Sequence, residues 1–219
     1  LLVEEPEAHL HPQYQNTFFE YLNELQSKGL QVFVTSHSPT ITAKSDVNNI
    51  FILQRKQSII QSFSFDELSE DDYPKESKRH LRKFLDTTKA QLFFANGVLL
   101  VEGVAEAIII PILAKKFLTE KIDLCKSGIE LVNIGGVAFN HFGLLFNNDD
   151  ERKRLLSKCA IITDSDPKDN GDISDRAQKA KDLEKHNLKV CLATHTLEHD
   201  LFEQSERNKA IMRDVYRKI

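Results

Sequence analysis

Five carboxylates stand where an apolar run meets a turn. "VLLVEGVAEA" ends on Glu102 and carries Glu106 four residues later, "CAIITDSDPKD" ends on Asp164 and Asp166, and "VCLATHTLEHD" leads to Glu198. If the three runs are strands of one sheet, all five acids reach the same edge, with Asp164 and Asp166 pointing the same way because strand side chains alternate with period two. So many like charges repel unless cations neutralise them. Oxygen donors alone suit Mg²⁺ or Mn²⁺ better than zinc, which prefers Cys or His. Two such ions about 3.5 to 4 Å apart activate a water and stabilise the leaving oxygen of a phosphodiester, which is nuclease chemistry. Either motif alone reads equally well as an Asx turn with a solvated helix cap. The ordered set at successive strand ends is what points to metal.

A second group opens the chain. "LLVEEPEAHLHP" runs from apolar residues into Glu4 and Glu5, and "LQVFVTSHSP" is a short apolar run ending near His37. Two acids and a histidine at the ends of adjacent strands fit a nucleotide site, since Mg²⁺ takes hard oxygen ligands and water attack on a phosphate needs an acceptor in line with it. None of the eight glycines is followed by Lys, so the GxxxxGK[ST] phosphate cradle is absent from this sequence. The 219 residues by themselves are therefore expected neither to bind nor to hydrolyse ATP, and the start reads as the second half of a longer unit. His9 and His11 read as loop or packing histidines.

The elements that must position these groups follow from periodicity. Residues 13–28 place Phe18, Tyr21, Leu22 and Leu25 at helical spacing, closed by Gly29. Residues 50–65 alternate as a hairpin, and "DELSEDDYPKESK" reads as an acidic loop or the start of a tether. One connecting helix is expected over "SKRHLRKFLDTTKAQLFF", with a domain boundary near residue 89. Beyond it, near-continuous apolar strands alternate with helices, which predicts a parallel sheet covered on both faces and ligands gathered at the strands' carboxyl ends. In "NIGGVAF", Gly135 and Gly136 read as a tight turn close to the acids rather than a phosphate loop. His195 and His199 read as solvated helix-start residues, outside the site.

Composition narrows the classes. With 41% hydrophobic and 28% charged residues the chain has material for an ordinary core, and no apolar run approaches the ~18 residues of a membrane span. The net charge of −4 argues against a simple electrostatic nucleic-acid binder. Residues 90–219 hold 19 Lys and Arg against 20 Asp and Glu, so setting the five proposed ligands aside leaves a mildly basic surface. Cys125, Cys159 and Cys191, odd in number and widely spaced, form neither a disulfide framework nor a zinc site and suggest reducing cytosol.

The opening resembles the Walker B and switch-histidine strands of ABC-type ATPases. That likeness implies that Glu4 helps to hold magnesium, Glu5 polarises the attacking water and His37 reads the γ-phosphate, although the family more often has Asp where Glu4 stands. Strand, "EG", helix and then strand, "DxD" is similar to the Toprim pattern of topoisomerases, primases and OLD (overcoming lysogenisation defect) nucleases. "EEPEAHLHP", "FLDTTKAQLFFANGVLLVEG" and "TLEHDLF" look specifically like the OLD family, which includes the nuclease of Gabija-type anti-phage systems.

The resemblance implies an α/β fold. Residues 1–88 would be the C-terminal part of an ABC-type ATPase domain without its Walker A loop, and 89–219 a Rossmann-like Toprim nuclease domain with a parallel sheet flanked by helices. It implies Glu102 and Glu106 as metal ligands, with Glu102 the candidate acid/base. Asp164 and Asp166 would hold the metals, and Glu198, with the Thr196 hydroxyl, would complete the second site. A further basic residue is expected, for which Lys209, Arg213 and Arg217 are candidates by position. The implied function is an ATP-regulated, Mg²⁺- or Mn²⁺-dependent endonuclease or nickase in anti-phage defence. Its partner is DNA, with a homo-oligomer (dimer or tetramer) expected, room for a helicase partner and no membrane. The alternatives are a Toprim topoisomerase or primase, for which no nucleophilic Tyr context or zinc module is evident, and an ATP-switched clamp of RecF or SMC type, which has no use for two metals.

Overall fold

The computed structural model describes residues 1–117, 123–136 and 138–218. The chain begins with β1 (Leu2–Glu4), a 3₁₀ turn over Pro6–His9, α1 (Pro12–Ser27) and β2 (Phe33–Thr35). β1 and β2 pair in parallel, with Val3 opposite Val34 and Glu4 opposite Thr35. That register brings the end of one strand, with its two acids, beside the "TSH" end of the other. α2 (Pro39–Lys44) follows, capped by the Ser38 hydroxyl. A hairpin, β3 (Phe51–Lys56) and β4 (Ile59–Ser64), turns at Gln57, as the alternation predicts.

The acidic stretch after the hairpin is no tether. Tyr73 is 1% exposed and its hydroxyl donates to the His141 carbonyl at 2.5 Å, while Asp72 accepts from Lys153 Nζ at 2.7 Å and Asn148 Nδ2 at 2.8 Å. The Lys153 ammonium beside it holds the Asp72 carboxyl far below the usual carboxylate range. Nor is the connector one helix. It divides into α3 (Lys75–Phe84) and α4 (Thr87–Ala90) because Asp86 leaves helical geometry and its side chain accepts from Lys89 N, starting a new helix. A 3₁₀ turn over Gln91–Phe93 then leads into the main sheet.

That sheet contains β5 (Gly97–Val101), β6 (Ile129–Asn133), β7 (Lys158–Thr163) and β8 (Leu188–Leu192), all parallel, in the order β6-β5-β7-β8. The crossovers carry α5 (Val104–Phe117), α6 (Phe139–Gly143) and α7 (Asp175–Lys181). The chain closes with two helices, α8 (Leu197–Glu203) and α9 (Glu206–Tyr216), separated because the Ser205 hydroxyl accepts from Asn208 N and caps a fresh start. Val98, Leu100, Val101 and Ile161 are buried in the central strands, as expected of a sheet covered on both sides.

The hydrophobic core does not stop at residue 89. Val47, Phe63, Phe65, Tyr73, Leu81, Leu85 and Leu92 join Leu100, Val132, Phe142 and Ile161 in one cluster. Phe65 sits at the centre of edge-to-face contacts with Phe63, Tyr73 and Phe93. The hairpin is tied to the sheet as well, since Gln54 accepts from Leu156 N at 2.6 Å and donates to the Arg154 carbonyl at 3.2 Å. Among the described residues, no helix is long and apolar enough to cross a membrane.

Candidate functional site

The carboxyl edge of the parallel sheet is built by register. Val101 lies opposite Ile162, so the next residues, Glu102 and Thr163, stand side by side where β5 and β7 end. The Thr163 hydroxyl donates to Glu102 Oε1 in a very short contact. Glu106 sits in the first turn of α5, and its Oε2 accepts from Gly103 N at 3.1 Å, the local bond of a helix-start acid. Gly135 and Gly136 have φ of 69° and 112°, and Gly136 N donates to the Glu102 carbonyl at 2.8 Å. The double glycine is thus the expected left-handed turn, and it anchors the backbone of Glu102.

Asp164 and Asp166 reach the edge by a different route from the one predicted. β7 ends at Thr163, and Asp166 has φ of 41°, so strand alternation does not orient the pair. The turn is held by Ser165, 3% exposed, whose hydroxyl donates to the Thr194 carbonyl at 2.6 Å. Glu198 likewise comes from the first turn of α8 rather than from a strand end. Thr196 is the cap of that helix, its hydroxyl accepting from His199 N at 3.2 Å. Asp164 Oδ1 accepts from Leu197 N at 3.0 Å, which ties β7 to α8.

Electrostatics mark this edge. Burial, followed by the charges of Glu102, Asp166 and Glu198, pushes the Asp164 carboxyl up to about 6, outweighing its backbone hydrogen bond. A cleft of about 180 Å³ opens beside it, lined by Glu106, Thr163, Asp164, Cys191, Leu197 and Asp200. Asp200, which the sequence reading passed over, is held by Thr194 through its amide at 2.9 Å and its hydroxyl.

Arg176 was also missed. Its Nη2 lies 2.5 Å from Asp166 Oδ2 and its Nη1 3.3 Å from Glu102 Oε2, so one guanidinium joins two of the predicted ligands. Its only sequence signal was position, in the helix after the DxD. The basic residues singled out in sequence lie elsewhere, on or just after α9. Lys209 pairs with Glu203 at 2.9 Å and Glu206 at 3.2 Å, Arg213 stacks over Phe202, and Arg217 caps the helix.

The acids fit divalent ions in donor chemistry and in the burial and like charge that together raise Asp164. The side chains of Glu102, Glu106, Asp164 and Asp166 are engaged within the protein, however, and among the described residues no three His, Cys, Asp or Glu side chains are arranged to hold a metal ion.

At the other end of the chain, Glu5 and His37 do meet, with Oε1 and Nε2 3.3 Å apart. Both are exposed, and Glu5 occupies a left-handed turn at φ 41° directly after Glu4 closes β1. Glu7, absent from the predicted set, organises them. Its Oε1 accepts from His37 N at 2.5 Å and from the Ser36 hydroxyl at 2.8 Å. The "EEPE" spacing carried this signal, because the third acid, Glu7, stands three residues after Glu4, within the 3₁₀ turn.

Residues 93–166 match the family described as "Overcoming lysogenization defect protein-like, TOPRIM domain", and residues 1–43 match "AAA domain, putative AbiEii toxin, Type IV TA system". The "Old nuclease" of Escherichia phage P2 is 28% identical over 164 residues, covering 74% of this chain and 28% of that protein. "Endonuclease GajA" of Bacillus cereus (strain HuB5-5) is 28% identical over 202 residues, covering 83% and 28%. The chain thus spans a little over a quarter of the length of these curated relatives. A solved C-terminal region of the OLD protein of Xanthomonas campestris pv. campestris matches at 26% identity over 51% of this chain and 56% of that one, with a TM-score of 0.35.

Proposed function

Because the chain carries an OLD-like TOPRIM domain behind an AAA-type segment, we propose that it is part of an ATP-regulated, divalent-metal-dependent DNA endonuclease or nickase. The observation that carries this reading is the gathering of Glu102, Asp166 and Glu198 about Asp164 at one sheet edge, where burial first and then their charges raise the Asp164 carboxyl to about 6. Such crowding is relieved by cations and is costly without them. Glu102, Glu106, Asp164, Asp166 and Glu198, with Thr196, are the residues that would hold Mg²⁺ or Mn²⁺. When bound, two such ions supply Lewis-acid stabilisation of the phosphodiester and an activated water.

The protein's own contribution is positional. The Gly135–Gly136 turn anchors Glu102, the Asp164 to Leu197 bond keeps the β7 turn beside α8, and Glu102 is the group we assign to proton transfer at the attacking water. Residues 1–88 are proposed as the C-terminal part of the ATPase domain and 89–219 as the nuclease domain. Glu4, Glu5 and His37 would act on ATP together with a phosphate-binding loop that this sequence does not contain. A cytosolic site of action, DNA as substrate, a dimer or tetramer, a helicase partner and a role in anti-phage defence belong to the same proposal.

Plasmid nicking by the full-length protein tests it. Cleavage should require Mg²⁺ or Mn²⁺ and stop on chelation. Glu102→Ala should lose at least ~10²-fold in rate, the usual cost of one preorganised electrostatic group, while still binding DNA. Full nicking by Glu102→Ala would remove the assignment.

A further inference from the structure

Among the described residues, the cationic group paired with Glu102 and Asp166 is not in the place that the nuclease reading called for. α7 is anchored by Ala177 and Ala180, both buried, and its other basic residues, Lys179 and Lys181, are exposed. Arg176 instead folds back over the strand ends. Its side chain is 33% exposed and the Glu102 side chain that it meets is 15% exposed. The Arg176 Nε is buried with no hydrogen-bond partner, so the two acids are what hold the guanidinium there.

We propose that Arg176 is a built-in counter-ion that competes with divalent metal for Glu102 and Asp166. Resting on the metal-site reading above, the assignment makes Arg176 a positioning residue that keeps the two acids together in the metal-free protein and must release both for metal to load. A guanidinium suits this role because its planar fork presents a separate nitrogen to each carboxylate in a fixed geometry, Nη2 to Asp166 and Nη1 to Glu102. Metal loading is then an exchange of one cation for another rather than the filling of bare acids, which sets a threshold on the metal concentration at which the site becomes competent.

The test is Mn²⁺ titration by calorimetry, with thermal melting in chelator, on the wild-type chain, Arg176→Ala, Arg176→Gln and Arg176→Lys. Two partly exposed ion pairs predict that Arg176→Ala binds Mn²⁺ about three- to thirtyfold more tightly than wild type. The same variant should melt at a lower temperature without metal. Arg176→Lys should fall between the two on both measurements, and Arg176→Gln serves as the neutral variant if alanine proves insoluble. A merely structural arginine would lower both quantities, so equal or weaker Mn²⁺ binding by the neutral variants overturns the proposal. Wild type that binds Mn²⁺ no better than Asp164→Asn, Asp166→Asn would overturn the metal-site reading and this inference with it. Normal wild-type binding without tightening in the variants would sink the counter-ion alone.

Discussion

Replacing Asp164 by asparagine removes a carboxylate whose ionisation the fold opposes, the one such group among the described residues. Its carboxyl is raised to about 6 from the ordinary 3.8, first by burial and then by Glu102, Asp166 and Glu198. A folded-state value above the unfolded one means that the protonated form is favoured by folding. That contribution is fully present below about pH 4 and is lost as pH rises through about 6. Two pH units correspond to roughly 3 kcal/mol at most, but solvent reaches the cleft and screens the interaction, which leaves about 1 kcal/mol.

Asparagine keeps the oxygen that accepts from Leu197 N, so the tie between β7 and α8 survives. In chelator at pH 7.5, Asp164→Asn should therefore melt about 2 to 4 °C above wild type, the shift that 1 kcal/mol gives a chain of this size. At pH 4 the two should converge. Saturating Mn²⁺ should reverse the order, since a ligand at a hundred times its Kd adds about 2.7 kcal/mol and the variant lacks one donor. Differential scanning fluorimetry across pH 4 to 8, with and without Mn²⁺, reads all three comparisons. A wild type as stable as Asp164→Asn at pH 7.5 in chelator, with a difference that does not move with pH, refutes the crowding argument.

Tyr73→Phe should lower stability by about 1 to 2 kcal/mol, because it removes the hydroxyl of a buried ring from its bond to the part-buried His141 carbonyl; urea unfolding checks it, and an unchanged midpoint would mean that water replaces the hydroxyl. Leu100→Ala, at a fully buried position of β5, should cost about 2 to 5 kcal/mol in the same assay. Glu5→Gln in the full-length protein should abolish ATP turnover while altering rather than removing plasmid nicking, since Glu5 lies at the end of the β1–β2 pair and not at the carboxyl edge of the four-stranded sheet; loss of both activities would mean that the two sites work as one.

Much of this protein was legible before any coordinates. The parallel sheet followed from apolar runs alternating with helices, because strands covered on both faces have no polar side to show. Glu102 and Asp164 were legible as acids at strand ends because the residue that directly follows a strand is displayed at the sheet edge whatever surrounds it. The meeting of Glu5 with His37 followed the same logic, through the parallel pairing of β1 and β2.

What the sequence could not decide depended on turns and on contacts distant along the chain. Asp166 and Glu198 reach the edge through a left-handed residue and a helix start, neither of which has a periodicity to detect. The core's passage across residue 89 depends on Tyr73 bonding to His141, 68 positions away, and on Phe65 packing against Phe93, so an acidic stretch that looks like a tether is packed in place. Arg176 illustrates the limit most clearly. Nothing local separates it from Lys179 or Lys181; only the turn after β7 and the seating of α7 bring its guanidinium over Glu102 and Asp166, because an ion pair is fixed by where two backbones end up and not by the residues on either side of it.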